Sequence, residues 1–117
     1  MKKMHFEELV EFKKDIKHLL KKYKTLEEDL KIVKKVLNDE PEPGPPFSFR
    51  IESLRTTACV IKVKKIACKS LKGRGVNSGL RLIYALFKEE NRIVFIEMYH
   101  KNTKANEDRE RILKYFL

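Results

Sequence analysis

The residues best equipped for chemistry are basic, and they lie on and between segments with the character of β-strands. "VIKVKK", Val60 to Lys65, sets Lys62 and Lys64 between aliphatic residues. "GLRLIY", Gly79 to Tyr84, carries a lone Arg81, and "EMYHK" ends on His100 and Lys101. Successive side chains of an extended chain point to opposite faces, so Lys62 and Lys64 share a side, and Arg81 sits near them when the strands pair. The doublet Lys64, Lys65 breaks the alternation and marks a bulge or the end of pairing. Lys69, Lys72 and Arg74 hang over the same area from the intervening loop, and Lys104 follows the last segment. Ammonium and guanidinium groups gathered in this way hold phosphates, and they stabilise the added negative charge on phosphorus when a ribose 2′-hydroxyl attacks it. A histidine, or a lysine within a basic cluster, can move the proton. The sequence therefore nominates Arg81, His100, Lys64 and Lys62 as a reacting set. It nominates Lys65, Lys69, Lys72, Arg74, Lys101 and Lys104 as contacts to RNA phosphates.

Plainer readings stand beside these. Lysines on one side of a strand commonly form a solvated sheet face, and a strand-end histidine is commonly a surface residue, as His5 and His18 are expected to be. Arg81 is harder to set aside, because an arginine within an apolar strand needs a partner or a use. Clustered acids for two-metal catalysis are missing, a lone Glu97 does not supply them, and neither a metal nor a cofactor is expected. "GRGVNSG" has glycines spaced as in a phosphate loop, but it precedes a strand and lacks the lysine and serine of a nucleotide-binding turn. Cys59 and Cys68 lie on one extended segment, roughly 30 Å apart at about 3.3 Å per residue, and read as two reduced thiols.

The elements that must position these residues follow from periodicity. Leu9, Phe12, Ile16, Leu19, Leu20 and Tyr23 fall on one face of a helix spanning about Glu8 to Tyr23. A second helix begins at Thr25, with Thr25 and Glu28 placed as a capping box, and runs to about Asn38 with Leu26, Leu30, Val33 and Leu37 as its stripe. The two form a hairpin over about 8–38, which "NDEPEPGPPF" ends through a proline-rich linker at 39–46. Residues 48–56 are indistinct. Strands are expected at Thr57–Ala67, Leu80–Lys88 and Arg92–Tyr99, giving a sheet over about 57–100 with "KEEN" as a tight turn. A short strand at Met4–Phe6 has weak support. A last helix at about 105–116 carries Ile112, Leu113 and Phe116, with Asn106 or Thr103 as its cap.

The chain of 117 residues suits one domain with a modest core. Its formal charge is +10, and residues 57–104 alone carry eleven basic and three acidic side chains. A solubilising lysine surface would spread over the helices as well, so the localised excess points to a polyanionic partner. Apolar runs fall short of the roughly 20 residues a membrane span needs, and "MKKMHFEELVEF" lacks the apolar stretch of a signal peptide. No membrane association and a cytoplasmic location are expected.

Two amphipathic helices, "IKVKK", a glycine-containing loop, "SGLRLIYAL", a tight turn, "RIVFIEMYHKNTKANEDRERI" and a closing helix together resemble the RelE/ParE superfamily of toxins from bacterial type II toxin–antitoxin systems. The resemblance covers the chain from Phe6 onward, and its most specific part is the order of the "GLRLIY" and "YHK" strands. It implies an α+β microdomain: an N-terminal helical hairpin on a twisted, mainly antiparallel sheet of three to four strands, a C-terminal helix, and a basic concave surface. It implies a metal-independent, ribosome-dependent mRNA endoribonuclease that inhibits translation by 2′-hydroxyl transesterification. Arg81 matches the phosphate-binding arginine, Lys62 and Lys64 the lysines of the preceding strand, and His100 the strand-end histidine. A cognate antitoxin, mRNA and the ribosome are the implied partners. The family also contains ParE-like DNA gyrase inhibitors, and a non-catalytic RNA-binding or inactive toxin homologue would carry the same charge.

Overall fold

A computed structural model describes residues 3–117 of the chain. Its elements are β1 (His5–Glu8), α1 (Val10–Leu19), α2 (Leu26–Asp39), β2 (Ser48–Arg50), β3 (Cys59–Val63), β4 (Leu80–Phe87), β5 (Arg92–His100) and α3 (Arg109–Phe116). The architecture is α+β, with three helices on a five-stranded mixed sheet of order β1-β5-β4-β3-β2. β1 runs parallel to β5, and every other pair is antiparallel.

The two faces of the sheet have different covers. Ile61, Val63, Leu82, Tyr84, Phe95 and Met98 point toward the α1–α2 hairpin and pack with Phe12, Leu26 and Leu37. Each fully buried side chain of this size contributes about 2 kcal/mol. Val60, Ile83, Ala85, Ile96 and Tyr99 point the other way and are closed over by Ile112 of α3. The alternation written in β3 and β4 is thus what separates the two layers.

Several expectations change in the structure. The sheet has five strands, not three to four. β1 pairs with β5 from His5 to Glu8, and β2 emerges from the indistinct stretch to pair with β3. Because Glu8 belongs to that strand, the first helix starts only at Val10; it ends at Leu19. β3 spans only Cys59–Val63, well inside the expected Thr57–Ala67, and ends before the lysine doublet that breaks the alternation. Thr25 is the N-cap of α2, but its hydroxyl bonds Asp29 and Ser70 instead of the helix backbone, and Glu28 reaches Lys69. No capping box forms. The cap of α3 is Asp108, which accepts from the Arg111 amide at 3.0 Å, and not Asn106 or Thr103. Between β4 and β5 a single 3-10 turn at Lys88–Glu90, with Asn91 left-handed, makes the expected tight connection.

One irregularity governs the site. Ile83 pairs with Glu97 while Tyr84 pairs with Phe95, so β5 holds an extra residue, Ile96, opposite one step of β4. A bulge of this kind shifts the facing of every later side chain on that strand.

Candidate nucleic-acid interface

β3 delivers Lys64 just past its last residue, and its amide donates to the Phe47 carbonyl at 2.9 Å. β4 delivers Arg81 to the same face, opposite Tyr99. There the Arg81 Nη1 donates to the carbonyls of Lys64 (3.1 Å) and Leu80 (3.2 Å). Two backbone acceptors fix one end of the guanidinium, and its remaining donors are directed at no side chain among the described residues. Lys65 is steadied by the Asn77 side chain at 2.9 Å. With Lys101 from the turn after β5, these residues line an open pocket of about 320 Å³.

The pocket wall holds Lys64, Lys65, Arg81 and Lys101 and no carboxylate. Its other walls are Pro46, Phe49, Asn77 and Gly79. Phe49 lies half-buried on the edge strand β2, with the Lys64 ammonium 4.9 Å from its ring centre. Four cations beside an aromatic face make a site able to hold a phosphate and stack a base. Phe49 was not nominated from the sequence, since the three-residue strand carrying it leaves too short a pattern to read.

The other nominated residues lie elsewhere. Lys62 shares the face of Lys64 but is drawn under the segment leading into α3, where its ammonium meets the Glu107 carboxylate at 2.7 Å. Their side chains are only 15% and 5% exposed, so Lys62 is not offered to a ligand. Burial works against both charges. Against burial, Lys62 together with the backbone and Arg109 holds the Glu107 carboxyl below its ordinary value, and Glu107 together with Tyr99 raises the Lys62 ammonium. The buried Tyr99 hydroxyl beside them finds no well-aligned partner, and burial raises its pKa.

His100 is the larger correction. It pairs with Leu80, a core residue on the hairpin side, so it projects to the face opposite Arg81. Its ring stacks on Tyr23 with centroids 5.8 Å apart. Lys104 is bonded to the buried Glu97, which also accepts from the Asp108 amide at 2.7 Å. Lys69 pairs with Glu28 at 3.4 Å across the surface, while Lys72 and Arg74 are exposed on the loop and do not line the pocket. That loop is held at both ends: the Lys69 amide donates to Asp29 at 3.2 Å, and the Ser78 hydroxyl donates to the Ile66 carbonyl.

No family model, characterised protein or solved structure matches this chain. Its functional reading therefore rests on the pocket and on the sequence resemblance. Among the described residues no cluster of three or more histidine, cysteine, aspartate or glutamate side chains is placed to hold a metal ion. No helix among them is long and apolar enough to cross a membrane. Cys59 and Cys68 are free thiols, and burial raises both.

Proposed function

We propose that this chain binds single-stranded RNA at the Lys64, Lys65, Arg81 and Lys101 pocket and is a RelE/ParE-like toxin that cuts mRNA on the ribosome without a metal. The observation carrying the proposal is a pocket of four cations with an aromatic wall and no carboxylate. In the cut, the ribose 2′-oxygen attacks the adjacent phosphorus and loses its proton to a base. The bond from phosphorus to the 5′-oxygen breaks, and that oxygen takes up a proton. A 2′,3′-cyclic phosphate remains. Arg81 and the lysines oppose the charge that builds on the phosphoryl oxygens. An acidic antitoxin segment covering the pocket would match its charge and silence it.

A second reading, RNA binding without cleavage, is favoured by the same geometry. Among the described residues the lysines are the only lining groups able to exchange a proton, and His100 faces away with both ring nitrogens bonded. Expression in cells with mapping of mRNA 5′ ends separates the readings. New ends within translated messages, lost on Arg81→Ala, are expected of the nuclease. RNA binding in vitro with intact messages and normal growth supports the second reading. Growth arrest with intact messages overturns both and directs attention to gyrase.

A further inference from the structure

His100 stands outside the basic pocket, yet it touches the segments that build it. Its Nε2 lies 2.9 Å from the Ser78 carbonyl oxygen, which can only accept, so Nε2 carries a proton and donates. Its Nδ1 lies 3.1 Å from the Asn102 amide nitrogen, which can only donate, so Nδ1 accepts. The two contacts assign a neutral imidazole with its proton on Nε2. Gly79 is pressed against the same ring: a Cβ there would sit 2.6 Å from Nε2, and its φ is +89°. The Lys101 amide closes the arrangement by donating to the Gly79 carbonyl at 2.9 Å. Gly79, Arg81 and Lys101 all line the pocket, so the imidazole ties the start of β4 to the turn after β5 from behind it.

We propose that His100 is a positioning residue whose neutral ring locks Arg81 and Lys101 in place, and that its protonation opens the lock and weakens the pocket's hold on RNA. The inference rests on the RNA-binding reading and adds a regulation to it. A proton added to Nδ1 sets a donor against the Asn102 amide, which can only donate. The charged groups around the ring are largely paired with one another. On the cavity it shares with other elements, α1 presents Lys14, Asp15 and His18, and the turn behind it presents Lys22 and Tyr23. Glu97, Lys104 and Arg111 complete the charged groups there. Asp15 is already bonded by Arg111 and Glu97 by Lys104, so neither carboxylate is uncommitted.

The sign of the effect is diagnostic. Added positive charge in acid tightens the binding of a polyanion, whereas the lock loosens it. Binding of an unstructured RNA oligonucleotide, followed by fluorescence anisotropy at constant salt between about pH 8 and about pH 5.5, tests this. Wild type is expected to weaken about tenfold across that range. His100→Asn, whose amide oxygen can accept from Asn102 and does not titrate, should bind within about threefold of wild type at the upper pH and show none of the weakening in acid. His100→Ala should bind about tenfold more weakly than wild type at the upper pH. Should that variant fail to fold, the loss of acid weakening in His100→Asn still decides. Wild-type binding that is constant or tightens on acidification overturns the inference, as does an Asn variant that keeps the wild-type profile. A wild-type chain that binds no RNA at either pH overturns the functional reading, and the inference with it.

Discussion

Lys62 and Lys64 are two residues apart and project from the same face of the sheet, yet one is locked in an ion pair and the other is open. Lys62 lies under Glu107 at the approach to α3, while Lys64 lies past the end of β3 beside Phe49. The contrast extends to their surroundings. Lys62, Lys104 and Arg111 each meet a carboxylate, from Glu107, Glu97 and Asp15, and hold α3 and its approach onto the sheet and α1. Lys64, Arg81 and Lys101 meet none among the described residues and face solvent at the pocket. Strand parity decides which side a charge faces; the neighbours supplied by distant segments decide whether it remains available.

Substitutions on the two sides should separate cleanly. The largest effect is expected from Lys64→Ala, Arg81→Ala and Lys101→Ala combined. RNA affinity should fall about 1000-fold and the salt slope by about 2, with stability nearly unchanged. An equal loss in the thermal midpoint would erase the distinction between the regions. Glu97→Ala should act in the opposite sense, lowering unfolding stability by about 3 kcal/mol in chemical denaturation and leaving the salt slope of RNA binding intact. It removes the acceptor of both Lys104 and the Asp108 amide.

Glu107→Gln should cost about 2 kcal/mol near neutral pH by leaving Lys62 without its counter-charge. Because the folded Glu107 carboxyl lies below its ordinary value, the pair contributes fully above the unfolded carboxyl's range and fades as pH falls through the folded value. The gap between variant and wild type in denaturation midpoints should therefore close in acid; a gap that widens there would contradict the ion pair. The smallest effect concerns the outer end of α3. Glu11 is held at about 2, first by the Tyr115 hydroxyl and then by further contacts that include Lys114. Tyr115→Phe should move the Glu11 titration, followed by carboxyl NMR shifts, back toward 4.5 while RNA binding stays unchanged.

The helices, the three long strands and the shared face of Lys64 and Arg81 were legible because periodicity repeats over enough residues to set a phase. β2 was not, and β1 only faintly as Met4–Phe6, since three or four residues give no phase and their pairing depends on distant partners. The facing of His100 was hidden for a different reason. "RIVFIEMYH" is apolar nearly throughout, so nothing in it marks Ile96 as the extra residue. The commitment of Lys62 was equally hidden, because Glu107 reaches it from a segment whose position only the folded chain defines.

The parallel pairing of β1 with β5 has one more consequence, in the order of events during synthesis. Glu7 and Arg92 are 85 positions apart and meet at 3.2 Å where the two strands lie side by side. Ribosomes extend a chain at about 5–20 residues per second, so the first strand waits several seconds for its neighbour to be made. In that interval the hairpin of helices can form from local contacts, but the strand that β1 will lie against does not yet exist. The Lys101 side of the basic pocket arrives later still, so the pocket is complete only once the residues past β5 have been made.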